Sequence, residues 1–158
     1  MDIRKRKQKK RDLIMIIALT IVVGGFLWFY QTNAYQGEAS RAYVFYGNAA
    51  EPIVTIDFIQ KEVTRHEDQD VPEEYEQGYP YIDEDANTIT LLGDFKQNGV
   101  RQEVVIRYDF DRSTVQVIEE TSPNNICSKE GESNGWPLIC LPNRVRIEFE
   151  QSDEDFIV

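Results

Sequence analysis

Between Leu13 and Tyr30 the sequence reads LIMIIALTIVVGGFLWFY, 18 residues without a charge. The hydrocarbon core of a bilayer takes roughly 17–25 residues of helix at about 1.5 Å each, so this run is long enough to span it. Folding it into a soluble core would set the cations that precede it against a wholly apolar cylinder, in a chain too small to surround that cylinder. A transmembrane helix over 13–30 is therefore expected, with the lipid bilayer as its first partner.

Charge gives the helix a direction. Arg4, Lys5, Arg6, Lys7, Lys9, Lys10 and Arg11 form a basic tail over 1–12. Such a cluster stays in the cytoplasm, and each cation near the surface adds roughly 1 kcal/mol of attraction to anionic headgroups. Trp28, Phe29 and Tyr30 close the other end, where amphipathic rings favour the headgroup layer. The expected localisation is a single-pass protein of the cell membrane, N-terminus cytoplasmic and C-terminal domain extracellular. A cleavable signal peptide has the same order of charges, but an apolar region of only about 7–15 residues and small residues before the cut. Thr32-Asn33-Ala34 is a poor cleavage site, and the long run with its bulky aromatics favours an anchor. No cysteine lies near the end of the run, which excludes a lipid-modified cysteine. Either way the rest of the chain is exported.

The tail holds seven of the 17 basic residues and two of the 28 acidic ones, leaving 10 and 26 beyond it, a remainder near −16 within a total of −11. So acidic a surface repels phosphate backbones, and nucleic-acid binding is not expected. With 158 residues in all, the chain has room for one further domain.

Residues 31–41, QTNAYQGEASR, read as a polar tether, and the domain is expected over 42–151. Apolar residues then recur with a period of two: Val54, Ile56 and Phe58 against Thr55 and Asp57; Val104, Ile106, Tyr108 and Phe110 against Val105, Arg107 and Asp109; Val145, Ile147 and Phe149 against Arg144, Arg146, Glu148 and Glu150. Tyr43 to Tyr46, Thr88 to Leu92 and Thr114 to Ile118 are shorter candidate strands, and Asp111-Arg112 suits a tight hairpin. Six or so strands with no amphipathic helix predict an all-β fold, a small β-sandwich or barrel-like domain. The charged stretch 59–86 lacks an apolar period and reads as an exposed loop or irregular insertion. Residues 152–158 read as an acidic tail.

Catalytic material is scarce. The only histidine, His66, stands beside Glu67, Asp68 and Asp70, which suggests a hard cation such as calcium. The spacing fits no EF-hand loop, however, and a solvated face is the better reading. One histidine cannot build a zinc-hydrolase site or a triad. No enzymatic activity, cofactor or metal is expected. Cys127 and Cys140 belong to the exported part, where disulfides persist, so a structural bridge between them is the default. A redox pair would show Cys-x-x-Cys spacing, which is absent.

The stretches SPNNICSKEG and WPLICLPNRVRIEFE resemble the C-terminal signature of NusG domain II-like proteins, in which a Cys-Pro-x-x-x-Cys stretch, a glycine and an Ile-Cys-Leu-Pro-Asn run precede the last strand. Pro123, Cys127, Gly131, Ile139, Cys140, Leu141, Pro142 and Asn143 match that pattern, while Ser122 stands where the family often has its first cysteine. The resemblance covers about 30 residues. It implies a compact β domain, commonly a small membrane-anchored bacterial protein, and it implies no transcriptional role for a domain held outside the membrane. Read physically, Pro137 and Pro142 suit a strand end or edge. Gly131 and Gly135 allow positive φ, and Trp136 is placed to cover the bridge.

Together these features predict a membrane-anchored extracytoplasmic β module that is a non-catalytic protein-interaction or accessory domain, with another membrane or envelope protein as partner. The alternative is a thiol/disulfide redox accessory to a membrane electron-transfer system.

Overall fold

The computed structural model describes residues 3–33, 39–66 and 78–152. They fall into two compact units divided between Gln36 and Gly37. The first is a single helix, α1 (Ile3–Asn33). Within it Arg11–Phe29 is long and apolar enough to cross a membrane, and none of that stretch is buried. The helix overruns the apolar run at both ends, because neither the lysine-rich tail nor Gln31-Thr32-Asn33 contains a helix breaker. Arg4 to Lys10 lie on its first turns and Arg11 is exposed, as are Trp28 and Phe29 farther along, followed by Tyr30.

The second unit is all-β, a sandwich of two antiparallel five-stranded sheets. The chain lays down β1 (Ala39–Tyr46), β2 (Val54–Asp57) and β3 (Glu62–Arg65) in one sheet. It crosses to build a meander of β4 (Tyr81–Asp83), β5 (Thr88–Gln97), β6 (Val100–Asp109), β7 (Thr114–Glu120) and β8 (Glu132–Ser133). A short helix, α2 (Cys127–Glu130), sits between β7 and β8. The chain then returns to the first sheet as β9 (Leu138–Cys140) and β10 (Val145–Gln151). The strand orders are β3-β2-β1-β10-β9 and β4-β5-β6-β7-β8.

Alternation sets the register. Val44 lies opposite both Val54 and Ile147, and Leu91 opposite Val104. These side chains, with Ile56, Ile89, Ile106, Val117 and Leu138, are fully buried in one cluster drawn from both sheets. Tyr108 and Val145 are buried as the pattern predicts, and Phe110 and Phe149 pack half-buried against the cluster's edge.

Four strands had no periodic signal. β3, β4 and β8 are sheet edges, and β9 is the fourth. β3 lies inside the charged segment read as a loop: it pairs with β2 from Val54↔Arg65 to Asp57↔Glu62. Only Val63 of that strand turns inward, and the other three side chains stay in water, so charge there is compatible with pairing. β4 likewise ends that segment, and residues 67–77 lie outside the described part. Asp57 lies opposite Arg41 on the face turned from the core, as the alternation predicts, yet it is nearly covered there, held by the backbone N–H of Gln60 at 2.8 Å and by Arg41 Nε at 2.8 Å. The turn after β6 is a four-residue loop, longer than a tight hairpin, with Asp109 Oδ1 accepting from the backbone of Asp111 and Arg112.

Candidate functional site

A bulge in β7 makes the site. Ile106 pairs with Val117 but Val105 pairs with Glu119, so the register shifts at Ile118. Val115 and Val117 point into the core on odd numbers, and the extra residue reverses the parity, turning Glu120 inward. Glu120 is 5% exposed. Its Oε1 accepts from the backbone N–H of Cys127 at 3.0 Å, and its Oε2 accepts from Asn143 Nδ2 at 3.1 Å. Among the described residues no lysine or arginine pairs with it.

Around this carboxylate the sequence-matched residues converge. Cys127, the first residue of α2, is bonded to Cys140, the last of β9, with Cα atoms 5.7 Å apart. Both are buried, at 2% and 0% exposure. Asn143 ends a single 3-10 turn, Leu141–Asn143, and is fully buried. Its Nδ2 reaches Glu120 and, at 3.4 Å, the carbonyl of Thr121. Its Oδ1 faces β5, where Gly93 supplies the space: a Cβ at 93 would stand 2.2 Å from that oxygen. Arg144 follows in the left-handed region at φ 55°, and its N–H closes the turn on Leu141 O.

The other signature residues shape the surface. Gly131 takes φ 83° after α2, whereas Gly135 has no positive φ. Ser122 and Asn125 cap each other, each side chain accepting from the other's backbone N–H, and Pro123 is exposed in that turn. Ile139 and Leu141 are 49% and 78% exposed. Trp136 is also exposed, with its carbonyl accepting from Ser133 Oγ. A groove of about 260 Å³ runs beside β9, lined by Ile139, Cys140, Leu141, Arg144 and Arg146 with Gly47 and Asn48. Arg146 stacks over the Phe45 ring at 4.4 Å.

A polar cluster pins the sheets together nearby. Asp94 of β5 accepts from Tyr46 Oη of β1 at 2.6 Å, from Arg101 of β6 and from Arg144 at 3.3 Å. Burial pushes the Asp94 carboxyl up, but Tyr46 and the two arginines outweigh it and hold it below the usual carboxylate range. A larger cavity of about 580 Å³ reaches Thr121, and its walls mix Lys96 and Arg101 with Glu103 and Glu119. In it Tyr79 Oη donates a short hydrogen bond to Glu103 Oε1. His66 Nε2 lies 2.9 Å from Thr55 Oγ1, and its acidic neighbours Glu67, Asp68 and Asp70 lie outside the described residues.

The residue that sequence reasoning missed is Glu120. It sits among surface-type residues in VQVIEETS, and only the unforeseen bulge turns it inward. No protein-family model, curated protein or solved structure matches the chain.

Proposed function

We propose that the chain is a membrane-anchored extracytoplasmic module that works by binding, with an extended segment of another membrane or envelope protein adding to the free edge of β9. The observation that carries this reading is that edge. Among the described residues β9 pairs with β10 alone, which makes it a sheet edge that a new strand could join, and Ile139 and Leu141 stand exposed at it. Trp136 and Ile126, in the two segments that the bridge joins, add exposed apolar surface. The opposite edge of the same sheet, β3, shows water Glu62, Thr64 and Arg65, the kind of charge that deters pairing. Pro137 and Pro142 bracket β9 and limit any added strand to a few residues, which suits recruitment of a short segment rather than self-assembly.

The apolar stretch of α1 supports the anchor, and the cations ahead of it support an N-inside orientation. Membership among NusG domain II-like proteins is part of the same proposal. Its support is the sequence match at Pro123, Cys127, Gly131, Ile139, Cys140, Leu141, Pro142 and Asn143. The bridge is read as structural, since both cysteines are buried and the Cys-x-x-Cys spacing of a cycling pair is absent.

A photo-reactive residue in place of Ile139 or Leu141 tests the proposal in intact membranes, with Glu62 on β3 as the control position. One discrete protein adduct from both positions and none from Glu62 is expected. Capture of lipid and bulk protein alone would sink the reading.

A further inference from the structure

A buried carboxylate beside a neutral disulfide is an odd arrangement. Glu120 has no cationic partner among the described residues, and removing a carboxylate from water is costly unless it is paired or well hydrogen-bonded. Its two hydrogen bonds come from Cys127 N–H and Asn143, both at the bridge. A carboxylate oxygen of Glu120 and the two sulfurs of Cys127 and Cys140 all lie within 4.8 Å of one another. Zinc held by two thiolates and a carboxylate, with metal–sulfur bonds of about 2.3 Å and metal–oxygen bonds of about 2.1 Å, needs its donors roughly 3.5–4 Å apart. The constellation is thus nearly a metal site once the sulfurs separate.

We infer that Cys127, Cys140 and Glu120 bind a divalent ion of the zinc class when the bridge is reduced, so that metal and disulfide are alternative occupants of one site. The donor set selects the ion. Two thiolates favour zinc over calcium or magnesium, and the carboxylate favours it over monovalent copper, which prefers sulfur alone. Three protein donors leave a fourth position for water or another ligand. The hydrogen bonds from Asn143 and from Cys127 N–H orient the carboxylate in advance, as outer partners do in metal sites.

The chemistry balances with a dithiol as reductant. The S–S bond breaks, two S–H bonds form with two electrons and two protons from the dithiol, and the dithiol leaves as its own disulfide. The metal then displaces both thiol protons to solvent. In either state α2 stays tied to β9.

The inference stands apart from the partner reading and is tested on the full chain in detergent. The protein is reduced anaerobically with a dithiol, freed of it by gel filtration, titrated with cobalt(II) and then back-titrated with zinc. The expected result is one cobalt per chain with a thiolate-to-cobalt charge-transfer band, abolished by zinc and absent from the oxidised protein. Glu120→Gln should keep the band with affinity about ten-fold or more weaker. No band in the reduced protein, or equal affinity in Glu120→Gln, would overturn the inference. Should that variant fail to fold, X-ray absorption of the zinc-loaded native chain decides. A shell of two sulfurs with lighter atoms is expected, and a shell of sulfur alone or without sulfur contradicts the site.

Discussion

Replacing Gly93 with alanine should be among the most damaging single-methyl additions to this protein. The new Cβ would stand 2.2 Å from Asn143 Oδ1, 2.6 Å from its Cγ and 2.8 Å from its Cβ. Asn143 is fully buried and its amide is tied to Glu120 and Thr121, so it cannot swing aside without leaving a buried carboxylate oxygen without its donor. Overpacking a close-packed interior costs about 1–3 kcal/mol, and losing a hydrogen bond to a charged group about 1.5–3 kcal/mol. The reduced freedom of the unfolded chain returns about 0.4–1 kcal/mol. A net loss of roughly 1.5–5.5 kcal/mol follows from these terms. Urea unfolding of the full chain in non-ionic detergent, followed by near-ultraviolet circular dichroism, measures it. The mechanism has a sharper signature in a double-mutant cycle. Asn143→Ala removes the two atoms that the added methyl would strike hardest, so Gly93→Ala should cost at least about 1 kcal/mol less in that background. A Gly93→Ala variant within about 0.5 kcal/mol of the native protein, or equal costs in the two backgrounds, would refute the reasoning.

Other outcomes follow from the same contacts. Removing the bridge with Cys127→Ser and Cys140→Ser reopens a loop with a sequence separation of 13 and should destabilise by about 3 kcal/mol, read from the same urea curves. Asp94→Asn should cost about 2 kcal/mol, because it weakens charged bonds to Arg101 and Arg144 at once. Asp57 is held below the usual carboxylate range as Asp94 is, since Gln60 N–H and Arg41 outweigh the upward push of burial. A lowered folded value means stability that is present above the unfolded value of about 3.9 and lost as pH falls through the folded one, so the urea midpoint should drop below about pH 4. That drop should be shallower in Asp94→Asn. Ile139→Asp should leave stability within about 0.5 kcal/mol of the native protein, yet abolish the adduct captured from position 141.

What was legible in the sequence followed from how far a side chain's environment repeats. β2, β6 and β10 bury every second residue against the opposite sheet, so their alternation announced them. β3 and β4 lie at edges with most of their surface in water, and nothing in their composition separates them from loops. Glu120 was hidden for another reason. Its direction depends on one extra residue in β7, and a bulge leaves no mark on the hydrophobic pattern until the pairing partner is known. Asn143 could be singled out by resemblance, but its task of locking Glu120 against Gly93 requires three elements distant in sequence. The apolar edge of β9 was foreshadowed by Pro137 and Pro142, while the exposure of Ile139 and Leu141 follows only from the pairing with β10.

The central claim is that the β domain is carried outside the membrane by an uncleaved anchor. Asp85 is exposed in the turn between β4 and β5, and because Cys127 and Cys140 are bonded to each other, Asp85→Cys introduces a single free thiol. Its labelling by a membrane-impermeant maleimide in intact cells, with the labelled chain recovered at full length in the membrane fraction, is the predicted result. Labelling only after the membrane is opened, or a labelled domain shed without α1, would contradict the account.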